Sequence, residues 1–96
     1  MSYEFSAELW EYGGNNTWHF VTLPFDQTDE IDEITAPTKR GFGSVRVQVT
    51  VGNTTWNTSI FPDAKRKSFV LPMKKQVRTA EKLQLGDLVK VSLDLA

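Results

Sequence analysis

A chain of 96 residues holds one small domain, residues 1–96, with no room for a second. Its 11 basic and 12 acidic side chains leave a net charge of −1, which gives no general attraction to nucleic acid or to an anionic membrane. Cysteine is absent and His19 is the only histidine, so disulfides, thiolate metal sites, thiol nucleophiles and two-histidine metal sites are excluded.

The opening Met1-Ser2-Tyr3-Glu4-Phe5 has no basic stretch followed by an apolar run. A secretory signal is therefore not expected, and the cytoplasm is the expected location. On that reading the Asn-x-Ser/Thr triplets at Asn15, Asn53 and Asn57 serve turns and strands, not glycosylation. Tyr3, Phe5, Ala7 and Leu9 alternate with Glu4, Ser6, Glu8 and Trp10, which predicts a strand with one face in the core. Gly13-Gly14-Asn15-Asn16 predicts a hairpin turn, and Trp18 to Thr22 the returning strand, ended by Pro24. Asp26 to Ile34 reads as an acidic helix with Asp26 as its cap and Pro37 as its stop. Gly41-Phe42-Gly43 predicts a bend.

The strongest strand signal comes next: Val45, Val47, Val49 and Val51 point one way, Arg46, Gln48 and Thr50 the other. Gly52-Asn53 is a tight turn into a partner strand, Thr54 to Phe61. Pro62-Asp63-Ala64 reads as a turn into a solvated basic run, Lys65-Arg66-Lys67. Phe69 to Leu71 is a short strand before Pro72, and Lys74 to Lys82 a helix. After the Gly86-Asp87 turn, Leu88 to Leu95 is the final strand, with Val89, Val91 and Leu93 inward.

Two stretches share one grammar. His19-Phe20-Val21-Thr22-Leu23-Pro24 and Ser68-Phe69-Val70-Leu71-Pro72 each lead through a helical segment and a glycine turn to a valine-rich strand. Two such units about a pseudo-twofold axis would pair their strands and close one barrel, removing exposed sheet edges. The expected fold is mainly all-β, a small barrel of about seven strands with one or two short helices.

The second unit resembles the AbrB-type swapped hairpin in Phe69-Val70-Leu71-Pro72-Met73-Lys74-Lys75-Gln76-Val77-Arg78 and Leu85-Gly86-Asp87-Leu88-Val89-Lys90-Val91. A wider match carries the segments Trp18 to Pro24, Arg40 to Val45, Trp56 to Pro62, Leu71 to Lys74, Val77-Arg78 and Gly86-Asp87. In these the chain resembles the bacterial domain-of-unknown-function family DUF1905. The resemblance implies a double-split β-barrel and no established activity. Some members carry a bacteriocin-protection (YdeI-type) segment after the domain. This sequence stops at Ala96, so no role tied to that segment is expected of it.

The candidate ligand site comprises Trp18, Arg46, Trp56, Ser59, Lys74 and Arg78, with Arg40 and Thr58 nearby. Lys74 and Arg78 stand four apart on one helical face and so can converge on one anion, while a tryptophan stacks on a planar ligand. The alternative is an Arg78–Asp87 ion pair with both tryptophans in the core. The acidic run Asp26, Asp29, Glu30, Asp32 and Glu33 lacks calcium-loop spacing and reads as a solvated face. Ser59 lacks a nucleophile-elbow pattern, and His19 reads as a surface or satisfied residue. The expected function is a binding module for a small anionic or planar ligand or a peptide, without metal or cofactor, in a monomer or weak homodimer. Nucleic-acid binding on the AbrB analogy and an enzyme of unknown reaction are the alternatives; the former rests on fold analogy alone.

Overall fold

The computed structural model describes residues 2–13, 18–38 and 43–96. The strands are β1 (Ser2–Glu8), β2 (Trp10–Tyr12), β3 (Trp18–Thr22), β4 (Val45–Val51), β5 (Thr54–Asp63), β6 (Ser68–Pro72) and β7 (Leu88–Leu95). Helix α1 (Phe25–Thr35), continued by a 3-10 turn over Ala36–Thr38, joins β3 to β4, and helix α2 (Lys75–Ala80) joins β6 to β7. Neighbouring strands pair antiparallel in the order β1-β7-β4-β5-β6-β3-β2.

The two ends of that order, β1 and β2, are consecutive pieces of one bent ribbon divided by Leu9 alone. The sheet therefore curls back on itself into a small double-split barrel. The ribbon changes partner at Leu9, from β7 to β3. The long strand β5 does the same after Ile60, from β4 to β6. Leu9 and Ile60 are 1% and 0% exposed, so each change of partner is pinned in the core.

Alternation puts Tyr3 and Phe5 of β1, all four valines of β4, and Val89, Val91 and Leu93 of β7 inside. Ile31 of α1 and Val77 of α2 plug the barrel from the helices. Gly52 at φ +59 opens the two-residue turn between Val51 and Thr54, a conformation a side chain resists.

The repeat is real but its alignment differs from the sequence reading. Leu23 N–H donates to Phe69 O at 2.9 Å, and Met73 N–H donates to His19 O at 2.8 Å. A shift of 50 residues carries the first bond onto the second, and carries the start of α1 at Phe25 onto the start of α2 at Lys75. Pro24 is thus equivalent to Lys74, and Pro72 to Thr22; the two prolines do not correspond. Pro72 lies within β6, not beyond it, and β5 runs on through Pro62 to Asp63. Residues 69, 71 and 73 direct their backbone bonds to β3, so position 72 directs its own towards β5, whose pairing with β6 ends at Val70. A proline there forfeits no ladder bond. The helix ends also differ. Pro24, not Asp26, occupies the N-cap of α1, without a side-chain cap, and the Asp26 carboxylate accepts from Gln27 N–H at 2.9 Å. Helix α2 spans six residues rather than reaching Lys82.

Candidate functional site

Aromatic residues gather on the outer side of the strands β2 and β3, where alternation ordinarily places polar ones. Trp10 lies opposite Phe20, and Tyr12 opposite Trp18. The Trp10 and Phe20 ring centroids are 5.1 Å apart, and the Trp18 and Phe20 rings stack at 6.3 Å and 12°. With Phe61, Val70 and Pro72 these residues line a groove of about 520 Å3. Trp10 is fixed in it by an Nε1–H bond to Thr22 Oγ1 at 2.9 Å. The Arg66 guanidinium lies 3.6 Å from the Trp10 ring centroid and is held there by Asp63 at 3.3 Å.

Beyond Trp18 and Pro72 a second hollow of about 500 Å3 opens, bordered also by His19, Met73, Lys74 and Arg78. Buried Met73 and Val77 anchor the short helix α2 and so bring its basic side to this hollow. Arg78 Nε donates to Met73 O at 2.9 Å, and Nη1 lies 3.4 Å from His19 Nε2. A guanidinium only donates, so Nε2 accepts and the imidazole proton resides on Nδ1. That Nδ1 is buried without a hydrogen-bond partner among the described residues. Burial, and then the Arg78 charge, push the His19 pKa below its usual value; Glu11, 4.0 Å from Nε2, opposes them. His19 is therefore neutral at physiological pH, and its Nδ1–H is a donor without an acceptor among the described residues. The arrangement is suited to stacking and to charge-assisted hydrogen bonding of an anion.

Trp18, Lys74 and Arg78 come together on this hollow. Arg46 and Ser59 face each other across β4 and β5 on the outer side, and neither borders the groove or the hollow. Trp56 is half-buried and packs on the core beside Val49. Arg40 lies outside the described residues, as do parts of the turn at 14–16 and the bend at 41–42. The Arg78–Asp87 pair does not form: Asp87 Oδ2 accepts from Gln84 N–H at 2.8 Å, while Arg78 turns to Met73 and His19. Sequence reasoning missed Trp10, Tyr12, Phe20, Phe61 and the buried state of His19. The signal was present, since Trp10 stands in register with Glu4, Ser6 and Glu8 on the face away from the core. No helix among the described residues is long and apolar enough to cross a membrane.

A small double-split β-barrel domain is what these elements define. The family profile described as Domain of unknown function (DUF1905) matches residues 5–93, and the chain belongs to that family. No curated protein matches it.

Proposed function

We propose that the protein is a binding module whose ligand has a planar, apolar body and a negatively charged end. The observation that carries this reading is that Trp18, 57% exposed, forms part of both the aromatic groove and the basic hollow. A flat ring system stacks along Trp18 and Phe20, and its anionic group meets Lys74 and Arg78. Binding rests on apolar burial with a few convergent polar groups and requires no bond making. Arg46, Ser59 and Trp56 lie on another part of the barrel and are left out of this site.

Naphthoate, planar and anionic, and naphthalenemethanol, planar and neutral, are suitable probes in a tryptophan-fluorescence titration. Naphthoate should bind the tighter, and the pair Lys74→Ala with Arg78→Ala should weaken it by about tenfold or more, as expected for charge-assisted bonds. Trp18→Ala should weaken both probes. Equal binding of the two probes, unaltered by these substitutions, would defeat the proposal.

A further inference from the structure

The internal symmetry gives the basic hollow a counterpart. The 50-residue shift that maps β3 onto β6 takes Trp18 to Ser68, His19 to Phe69 and Arg78 to Thr28. The equivalence extends to contacts, because Thr28 Oγ1 accepts from Phe69 N–H at 3.2 Å where Arg78 meets His19. A hollow of about 420 Å3 lies at this equivalent place, bordered by Thr28, Asp29, Asp32, Lys67 and Ser68. Ser68 is 4% exposed, and its Oγ has no hydrogen-bond partner among the described residues.

The helices beside the two related places have opposite charge, while Lys67 also borders the hollow beside α1. Helix α1 carries Asp26, Asp29, Glu30, Asp32 and Glu33 and no basic residue, whereas α2 carries Lys75 and Arg78 after its N-cap Lys74 and no acidic one. The aromatic groove joins the two hollows. It shares Trp18 and Pro72 with the basic one, and Pro62, Asp63 and Ala64 with the acidic one. In the antiparallel register of β3 with β6, Trp18 and Ser68 stand at opposite ends of the strand pair. Six residues separate those ends, roughly 20 Å at the rise of a strand.

We infer that the occupant is an extended peptide segment of about six residues, with an acidic side chain at Lys74 and Arg78, a basic one at Asp29, and apolar, aromatic or proline residues between. This rests on the reading of the Trp18 hollow as an anion site and adds the other end. The span exceeds a single ring system but suits a short extended chain. Charge at both ends fixes the direction in which the peptide lies. A second copy of the protein has the complementary charges too, but the face is concave. Two such faces would enclose the groove as a void, whereas a single strand fills it.

The test is selection from a displayed library of random heptapeptides on the whole protein, followed by anisotropy measurements on the enriched sequences with both termini blocked. Enriched peptides should pair an acidic with a basic residue five or six positions apart. Asp29→Lys should weaken them about tenfold yet leave naphthoate binding unaltered, and Lys74→Glu should weaken both ligands. Enrichment without the charge pair, no enrichment at all, or indifference to Asp29→Lys would overturn the peptide inference while naphthoate binding upheld the anion site. Loss of naphthoate binding in the unsubstituted protein would remove both readings. A concentration-dependent dimer dissolved by Trp18→Asp would assign the face to a second copy and also overturn the peptide.

Discussion

Arg78 Nη1 lies 3.4 Å from Nε2 of His19, a residue only 5% exposed. The neutral imidazole tolerates this neighbour and an imidazolium does not. Burial and Arg78 depress the His19 pKa in the folded state, so between that value and the unfolded value of about 6.5 the unfolded chain binds the extra proton. The contribution of His19 to stability is therefore complete above about pH 6.5 and is lost as the pH falls towards the folded pKa. His19→Phe, which copies the equivalent Phe69, should lose less stability than the unsubstituted protein between pH 7 and pH 5. Urea unfolding at the two pH values measures the difference; parallel losses in both proteins would show that His19 does not titrate in this way.

A second prediction concerns the turn at Gly52. A methyl group there would run into the carboxylate of Glu81, which accepts from Thr54 Oγ1 at 2.7 Å and from Asn53 N–H at 3.3 Å. It would also have to adopt φ +59. Gly52→Ala should cost about 1–3 kcal/mol. Glu81→Ala should cost about 0.5–1.5 kcal/mol through its lost hydrogen bonds. The double variant should cost less than the two single ones together, because removing Glu81 clears the space. A double-mutant cycle by thermal unfolding decides it, and strict additivity would show that the two residues do not interfere.

The strands were legible wherever one face is apolar. The valines of β4 and the Tyr3–Phe5 face of β1 fix their own register. The helix ends and the reach of β5 and β6 were not, because Pro62 and Pro72 read as strand stops. Both sit at positions whose missing N–H faces away from a partner, a property of three strands together that no local pattern carries. The site was half legible. Lys74 and Arg78 show their shared helical face at once, but His19 has a polar side chain in an inward register, and the Arg78 that lies against it is 59 residues away. The reading of Trp10 as an ordinary outward residue passed over a face where polar residues are the rule.

The partner-switching residues provide a third test. Leu9 and Ile60 are each packed where a ribbon leaves one half of the barrel for the other. Leu9→Ala and Ile60→Ala should each cost about 2–5 kcal/mol, the range for emptying a fully enclosed aliphatic site. Denaturant midpoints check this. Losses below about 1 kcal/mol would mean that the switches are held by backbone pairing alone.

Arg66 over Trp10 makes a fourth. The cation–π contact and its Asp63 brace are partly exposed, so Arg66→Ala should cost no more than about 1 kcal/mol. The optical effect should be larger than the energetic one: uncovering the Trp10 ring should shift tryptophan emission to the red. An unchanged spectrum would show that the guanidinium does not cover the ring in solution.

The pairing of β1 with β7 sets Ser2 opposite Asp94 and Glu8 opposite Leu88. A ribosome makes β1 well before β7, because paired residues such as Glu8 and Leu88 lie far apart in the chain. Strand β1 must therefore remain without this neighbour until the rest of the domain has been made. Ring closure by a pairing so distant in the chain belongs to the slower end of folding times. Meanwhile the alternation of Glu4, Ser6 and Glu8 with Tyr3 and Phe5 gives the waiting strand a charged side, which discourages it from zipping onto another nascent chain.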